Sequence, residues 1–269
     1  MNVHDSLPET SPRFPTGIEI VDEKIGGMYP GTAVLLEMVG AGGREFAINV
    51  LMRSAERDPP SELHYISVTD TPEEIVRNIR LTFPEASQEL MNTLLNRLEI
   101  TSLAGLYFRK SIVPIRWVTD RKMCLEELKC EADLLVELAE TVEKCGEGSF
   151  IFLDSLSDLV RLVGRRIEWP DLVDLMKGMK KLCIKKNMLL MSLLTSEMLE
   201  EGKEGELLDQ ADAVFVFEWQ IEKEAMSRWM YFRKFLGILP LLEREQIARY
   251  SIRIDPIQGF VISKIRRVI

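Results

Sequence analysis

Between Thr32 and Arg57 the chain passes from an apolar run, through glycines 40, 42 and 43, into a helical pattern, and few architectures accept that succession. A strand that enters a glycine-rich turn and then a helix is how α/β proteins aim backbone N–H groups and the positive end of a helix at an anion. The expected strand covers Thr32 to Val39 and the expected helix Glu45 to Arg57. The alternation continues with a strand over Leu63 to Val68, a helix opening at Pro72 with Asp70 and Thr71 as caps, and a helix over Glu85 to Arg97. Leu98 to Thr101 and Ile112 to Val118 are β-rich, with Gly105 to Lys110 unassigned between them. A long amphipathic helix, Lys122 to Cys145, leads into Phe150 to Asp154, whose apolar residues ending in an acid suit a buried parallel strand. A helix from Trp169 to Lys186 and a strand from Met188 to Leu194 follow.

Beyond them, Ala213 to Trp219, Met230 to Phe235, Arg249 to Ile254 and Phe260 to Ile265 come without long helices between, the pattern of an antiparallel extension. The expected fold is therefore α/β: a twisted, mostly parallel sheet with helices on both faces and antiparallel C-terminal strands. One domain over residues 16–269 behind an N-terminal arm of residues 1–15 is expected.

With 46% hydrophobic residues the chain can fill such a core. Its 34 Lys and Arg against 43 Asp and Glu leave a charge of −9, which argues against a general nucleic-acid coat. The short basic pairs Arg165-Arg166, Lys180-Lys181, Lys185-Lys186 and Arg266-Arg267 read as solvated faces. Cys124, Cys130, Cys145 and Cys183 are too widely spaced for a metal knuckle, and with two histidines in the chain no metal site is expected. Cys124 and Cys183 read as small core residues, His64 as a strand-end polar group and His4 as part of the arm. No apolar run reaches the ~18–20 residues of a membrane span, so a cytoplasmic protein without a membrane partner is expected. Trp117, Trp169, Trp219, Trp229 and the methionines 176, 179, 188 and 191 read as core and interface filler.

The turn itself reads Met38-Val39-Gly40-Ala41-Gly42-Gly43-Arg44-Glu45. A nucleotide-hydrolase loop, G-x-x-x-x-G-K-S/T, needs an amine for the β and γ phosphates and a hydroxyl for Mg²⁺. In one register Arg44 takes the lysine slot and Glu45 the hydroxyl slot; in the other Gly43 and Arg44 do. Either way the amine and hydroxyl are absent, and Arg44 is left to bind an anion alone or to pair with Glu45. Asp154, at the end of a buried strand, has the position of an acid that holds a Mg²⁺-bound water, or else caps Ser155 to Asp158.

Arg13 to Ile18, Val21-Asp22-Glu23 and Ile25-Gly26-Gly27 resemble the opening motif of the KaiC-like branch of the RecA superfamily, the archaeal and bacterial single-domain ATPases. The likeness continues in Phe46 to Asn49, which favours Gly43 in the lysine slot, in Val68 to Ile75, in Phe152 to Leu159, in Leu193 to Glu197, in Asp209 to Val214, in Phe232 to Gly237 and in Ile252 to Ile262. It implies a RecA-like P-loop fold of archaeal type. It also implies that Thr69 and Asp70 stand where a glutamate pair polarises water, Ser196 where an asparagine senses phosphate, and Leu236 where an arginine reaches a neighbouring subunit, Lys234 being retained. With those parts altered, no useful hydrolysis is expected.

The resemblance thus implies a regulatory, signalling or scaffold protein, working with an active RecA-like ATPase or signalling partner or as a homo-oligomer. No cofactor is expected; ATP or ADP, the alternative, would sit on a vestigial site of Gly40, Gly42, Gly43, Arg44, Glu45, Ser196 and Lys234. A divergent ATPase using Arg44 and Asp70 and a DNA-repair accessory of the recombinase-paralogue kind are the other readings. Val34 to Glu37 with Asp70 also resembles the first two motifs of S-adenosylmethionine methyltransferases.

Overall fold

The computed structural model describes residues 13–56, 62–86, 88–119, 133–222, 225–245 and 247–267. β1 (Gly31–Glu37) is buried at all seven positions because it has parallel neighbours on both edges and helices over both faces. Alternate residues serve opposite layers: Leu35 joins the core beneath one set of helices, and Val34 and Leu36 join the other.

The sheet has nine strands in the order β3-β2-β4-β5-β1-β6-β7-β8-β9. β2 (Leu63–Ser67), β3 (Leu98–Ser102), β4 (Phe150–Asp154), β5 (Leu189–Thr195), β1 and β6 (Ala213–Glu222) pair in parallel. β7 (Ala225–Phe235), β8 (Ile247–Asp255) and β9 (Gly259–Arg267) extend it antiparallel, as expected. One layer holds α1 (Glu19–Ile25), α2 (Gly43–Ala55), α3 (Pro72–Thr82) and α4 (Gln88–Arg97), with Phe46 of α2 stacked among Phe215, Phe217 and Phe260. After the short α5 (Ala104–Phe108), the opposite layer takes α6 (Leu134–Lys144), α7 (Leu156–Val160), α8 (Trp169–Lys185) and α9 (Glu201–Asp209). α10 (Leu239–Arg244) joins β7 to β8. The α3 start follows its sequence: Thr71 and Glu74 close a reciprocal capping box before Pro72, and of the two expected caps it is Thr71 that acts.

The opening motif is a structural clasp. Asp22 accepts from the Thr16 and Gly17 backbone N–H groups and from the Thr16 hydroxyl at 2.7–2.8 Å, while buried Phe14 exchanges backbone hydrogen bonds with Met28. Gly27, at φ +107°, has no room for a side chain, since an added Cβ would lie 2.4 Å from the Phe14 carbonyl oxygen. Gly27→Ala is expected to destabilise the fold by about 1–3 kcal/mol, read as a lower denaturation midpoint at unchanged slope.

Several expectations need correction. Ile112 to Val118 is not a strand: Pro114 cannot donate to a ladder, and the segment runs as turns with one 3-10 turn at Ile115–Trp117. The unassigned Gly105 stretch is α5, and α9 was not foreseen because its surface-rich sequence carries little periodicity. Trp117 is 72% exposed rather than core, whereas Trp229 and the four methionines are buried. Of the helix expected over Lys122 to Cys145, residues 122–132 lie outside the described residues, as do Cys124, Cys130 and His4. His64 is buried on β2, its ring nitrogens 3.5 Å from Glu62 and Glu99.

Candidate functional site

β1 ends on Glu37, the chain turns through Met38 to Gly42, and α2 begins at Gly43. Gly40 and Gly42 hold φ values of +74° and +116°, which turn successive N–H groups toward one point, as in loops that cradle phosphate. The group at that point belongs to the chain itself. Glu37 Oε1 accepts from the Gly42 N–H at 3.0 Å and Oε2 from the Arg44 N–H at 3.3 Å, with the Gly43 N–H also favouring the charged carboxylate.

Glu37 is 6% exposed. Burial raises its pKa above the ordinary glutamate value and nearby Glu45 adds to that, while the three backbone donors pull it back. A cation at position 43 would have relieved the carboxyl, but a Cβ added to Gly43 would sit 3.0 Å from Glu37 Oε2. A side chain at position 43 would therefore crowd the carboxyl and shift it by a few tenths of an ångström. Because folding raises the value for Glu37, the folded chain holds that proton more tightly than the unfolded one. Its contribution to stability is full below the ordinary glutamate range and declines as pH rises through the raised folded value. Wild type is thus expected to lose stability relative to Glu37→Gln as pH rises above about 4.5, checked by paired urea titrations.

The second pair lies deeper. Arg44 Nη2 contacts Asp154 Oδ1 at 3.0 Å, and the Tyr65 hydroxyl donates to Asp154 Oδ2 at 2.5 Å. Asp154 is 3% exposed and the Arg44 side chain 39%. Arg44 thus reaches Asp154 and not Glu45, the pairing the sequence suggested, because α2 turns its first residues over β4. Asp154 does not cap the next helix either; the Ser155 hydroxyl does, accepting from the Asp158 N–H. Burial, then the charge of Asp154, push Asp70 up, and burial pushes Asp158 up. Asp70 lies near Arg44 and Asn78, and Thr69 donates to Asp158.

The loop's outer carbonyls are held from β6 and β7. Trp219 Nε1 donates to the Val39 oxygen and Arg228 Nε to the Gly40 oxygen, both at 3.1 Å, with the guanidinium stacked 4.3 Å from the Trp219 ring centroid. Ser196 meets the site through its backbone N–H on the Glu37 carbonyl. Lys234 does not: it pairs with Asp209 and lies opposite Val214, whereas the loop adjoins Phe217.

The sequence reading missed Glu37, Tyr65, Trp219 and Arg228. Glu37 was available, since counting five residues back from Gly42 puts it in the first glycine slot of G-x-x-x-x-G-K-S/T, with Gly43 and Arg44 in the last two. The other three are set by strand register, which the sequence does not carry.

A nine-strand sheet in this order, with the loop leaving a central strand, decides the architecture. The chain has the fold of the KaiC-like proteins. It aligns with a KaiC-like protein of the hyperthermophilic archaeon Pyrococcus horikoshii OT3 at a TM-score of 0.63 and 15% identity, covering 94% of this chain and all of that one. It aligns equally with the flagellar accessory protein FlaH of Methanocaldococcus jannaschii, at a TM-score of 0.63 and 13% identity over 94% of this chain and 98% of that one. No protein-family profile and no curated protein matches the sequence. The KaiC-like likeness read from the sequence is thus upheld at the level of fold, with its parallel sheet and antiparallel C-terminal strands. Among the described residues no helix is long and apolar enough to cross a membrane.

Proposed function

We propose that this KaiC-like fold does not turn over nucleotide and works as a regulatory or scaffold protein, presenting its surface to an active ATPase of the same fold, to a signalling protein or to a second copy. The observation that supports this most is the Glu37 carboxyl on the loop's N–H groups. It takes the donors a phosphate would need, and its charge would repel the incoming anion by about 1 kcal/mol at 4 Å in water and severalfold more at a half-buried site. The Arg44 guanidinium does the same for the cation, standing on the carboxylate a magnesium shell would use. Internal groups thus substitute for both halves of a magnesium nucleotide, and the residues present do not fit that ligand.

Glu37 and Gly43 support the reading together. A side chain at 43 would press on the Glu37 carboxyl, its Cβ 3.0 Å from Oε2, and push it off its place by a few tenths of an ångström, whereas glycine leaves the carboxyl where it is. Such a loop keeps the rigidity of a loaded site without depending on a ligand.

The reading is tested with purified protein, ATP and magnesium. Hydrolysis is expected to stay at the level of a protein-free blank and to be unchanged by Asp70→Asn. Turnover that Asp70→Asn abolishes would support the divergent ATPase instead.

A further inference from the structure

The turn region after α5 carries chemistry that the loop does not use. From Ala104 to Thr119 there is no acidic residue, in a chain whose net charge is −9. Ile112 stands fully in solvent and Trp117 is 72% exposed. The turn after α7 lies against this region: Arg166 donates to the Tyr107 and Leu106 carbonyls at 2.7 and 3.2 Å, and the charges of Asp158, Arg161 and Arg165 all act on Tyr107. Lys110, Arg116, Arg161 and Arg165 are exposed, and their side chains have no hydrogen bond or ion pair among the described residues. Asp158, which interacts with Arg161, is itself bonded to Ser155 and Thr69.

We propose that this patch docks the protein on an anionic membrane surface, with Ile112 and Trp117 entering the headgroup layer and the four cations meeting lipid phosphates. A fully exposed aliphatic side chain and an exposed indole five residues apart, on a segment that also carries the exposed Lys110 and Arg116, suit the boundary between headgroup and hydrocarbon. Single-stranded nucleic acid suits it less, because a base could stack on Trp117 but the fully exposed Ile112 would be left without a stacking partner. The acidic remainder of the chain does not defeat the attraction, since charges beyond the Debye length of about 8 Å are largely screened at physiological salt. The phosphate-type loop is four strand spacings from β3, roughly 19 Å away along the sheet. The expectation of no membrane partner rested on the lack of a spanning run, which docking does not require.

Flotation of the full chain with vesicles of phosphatidylcholine, with and without phosphatidylglycerol, tests the proposal. Binding is expected only with phosphatidylglycerol, weakening as salt rises. Lys110→Gln, Arg116→Gln and Arg165→Gln are each expected to lower partition about fivefold, and Ile112→Asp to lower it by at least as much. All four positions are exposed, so thermal midpoints should not move. No partition at low salt, or partition that none of the substitutions changes, would overturn the proposal. So would neglect of the vesicles together with tight binding of a labelled oligothymidine that the same substitutions weaken.

Discussion

Asp154→Ala is expected to lower the unfolding free energy by about 2–4 kcal/mol. The substitution removes a carboxylate that is 3% exposed and serves two partners. Tyr65, buried on β2, would lose the acceptor of its hydroxyl, and an unsatisfied buried donor costs about 1–3 kcal/mol. Arg44 would lose its ion partner as well. Breaking a fully buried pair costs about 3–5 kcal/mol, but the Arg44 side chain is 39% exposed and can turn to water, so its share is discounted. Asp154→Asn, which keeps an acceptor for Tyr65, should lose less. A carboxylate held free for a metal behaves in the opposite way, since its removal relieves repulsion in the apoprotein and raises stability. Chemical denaturation of wild type, Asp154→Ala, Arg44→Met and the double variant measures both the loss and the coupling. A coupling near zero would mean that the pair does not hold the site together.

The second large effect concerns Glu37. Glu37→Ala leaves the N–H groups of Gly42, Gly43 and Arg44 without their carboxyl, inside a loop whose next residues start α2. Two or three orphaned donors at about 1 kcal/mol or more each, less the relief of no longer burying an acid, predict a net loss of about 1–3 kcal/mol. The emptied cradle would then accept an external anion. At phosphate fifty times its Kd the stabilisation is about 2.3 kcal/mol, enough to restore most of the loss. Glu37→Gln, which still offers one oxygen to the loop, should lose less and respond less to phosphate.

The fold was largely legible because its signals are local. The buried runs of β1, β4 and β5 and the glycines at 40, 42 and 43 specify strands and a tight turn by their own conformational limits. Pro72 and the Thr71–Glu74 box likewise set the start of α3. The turns after α5 misled because Ile112, Val113 and Val118 have strand-like composition while Pro114 forbids the ladder, and composition alone does not rank the two.

The site was half legible. The absence of an amine and a hydroxyl could be read from Gly43, Arg44 and Glu45 in either register. What fills the place could not be read as easily, because Arg44 lies 110 positions from Asp154 and Arg228 lies 188 from Gly40. Sheet order, not sequence proximity, brings those groups together.

Glu37 acts as the loop's own anion. Thermal unfolding of wild type and Glu37→Ala, each titrated with inorganic phosphate, distinguishes an internal anion from an empty cradle. The wild-type midpoint is expected to stay flat, and that of the variant to start lower and climb with phosphate toward the wild-type value. A wild-type midpoint that climbs as steeply as the variant's, or a variant that phosphate does not stabilise, would contradict that role of Glu37.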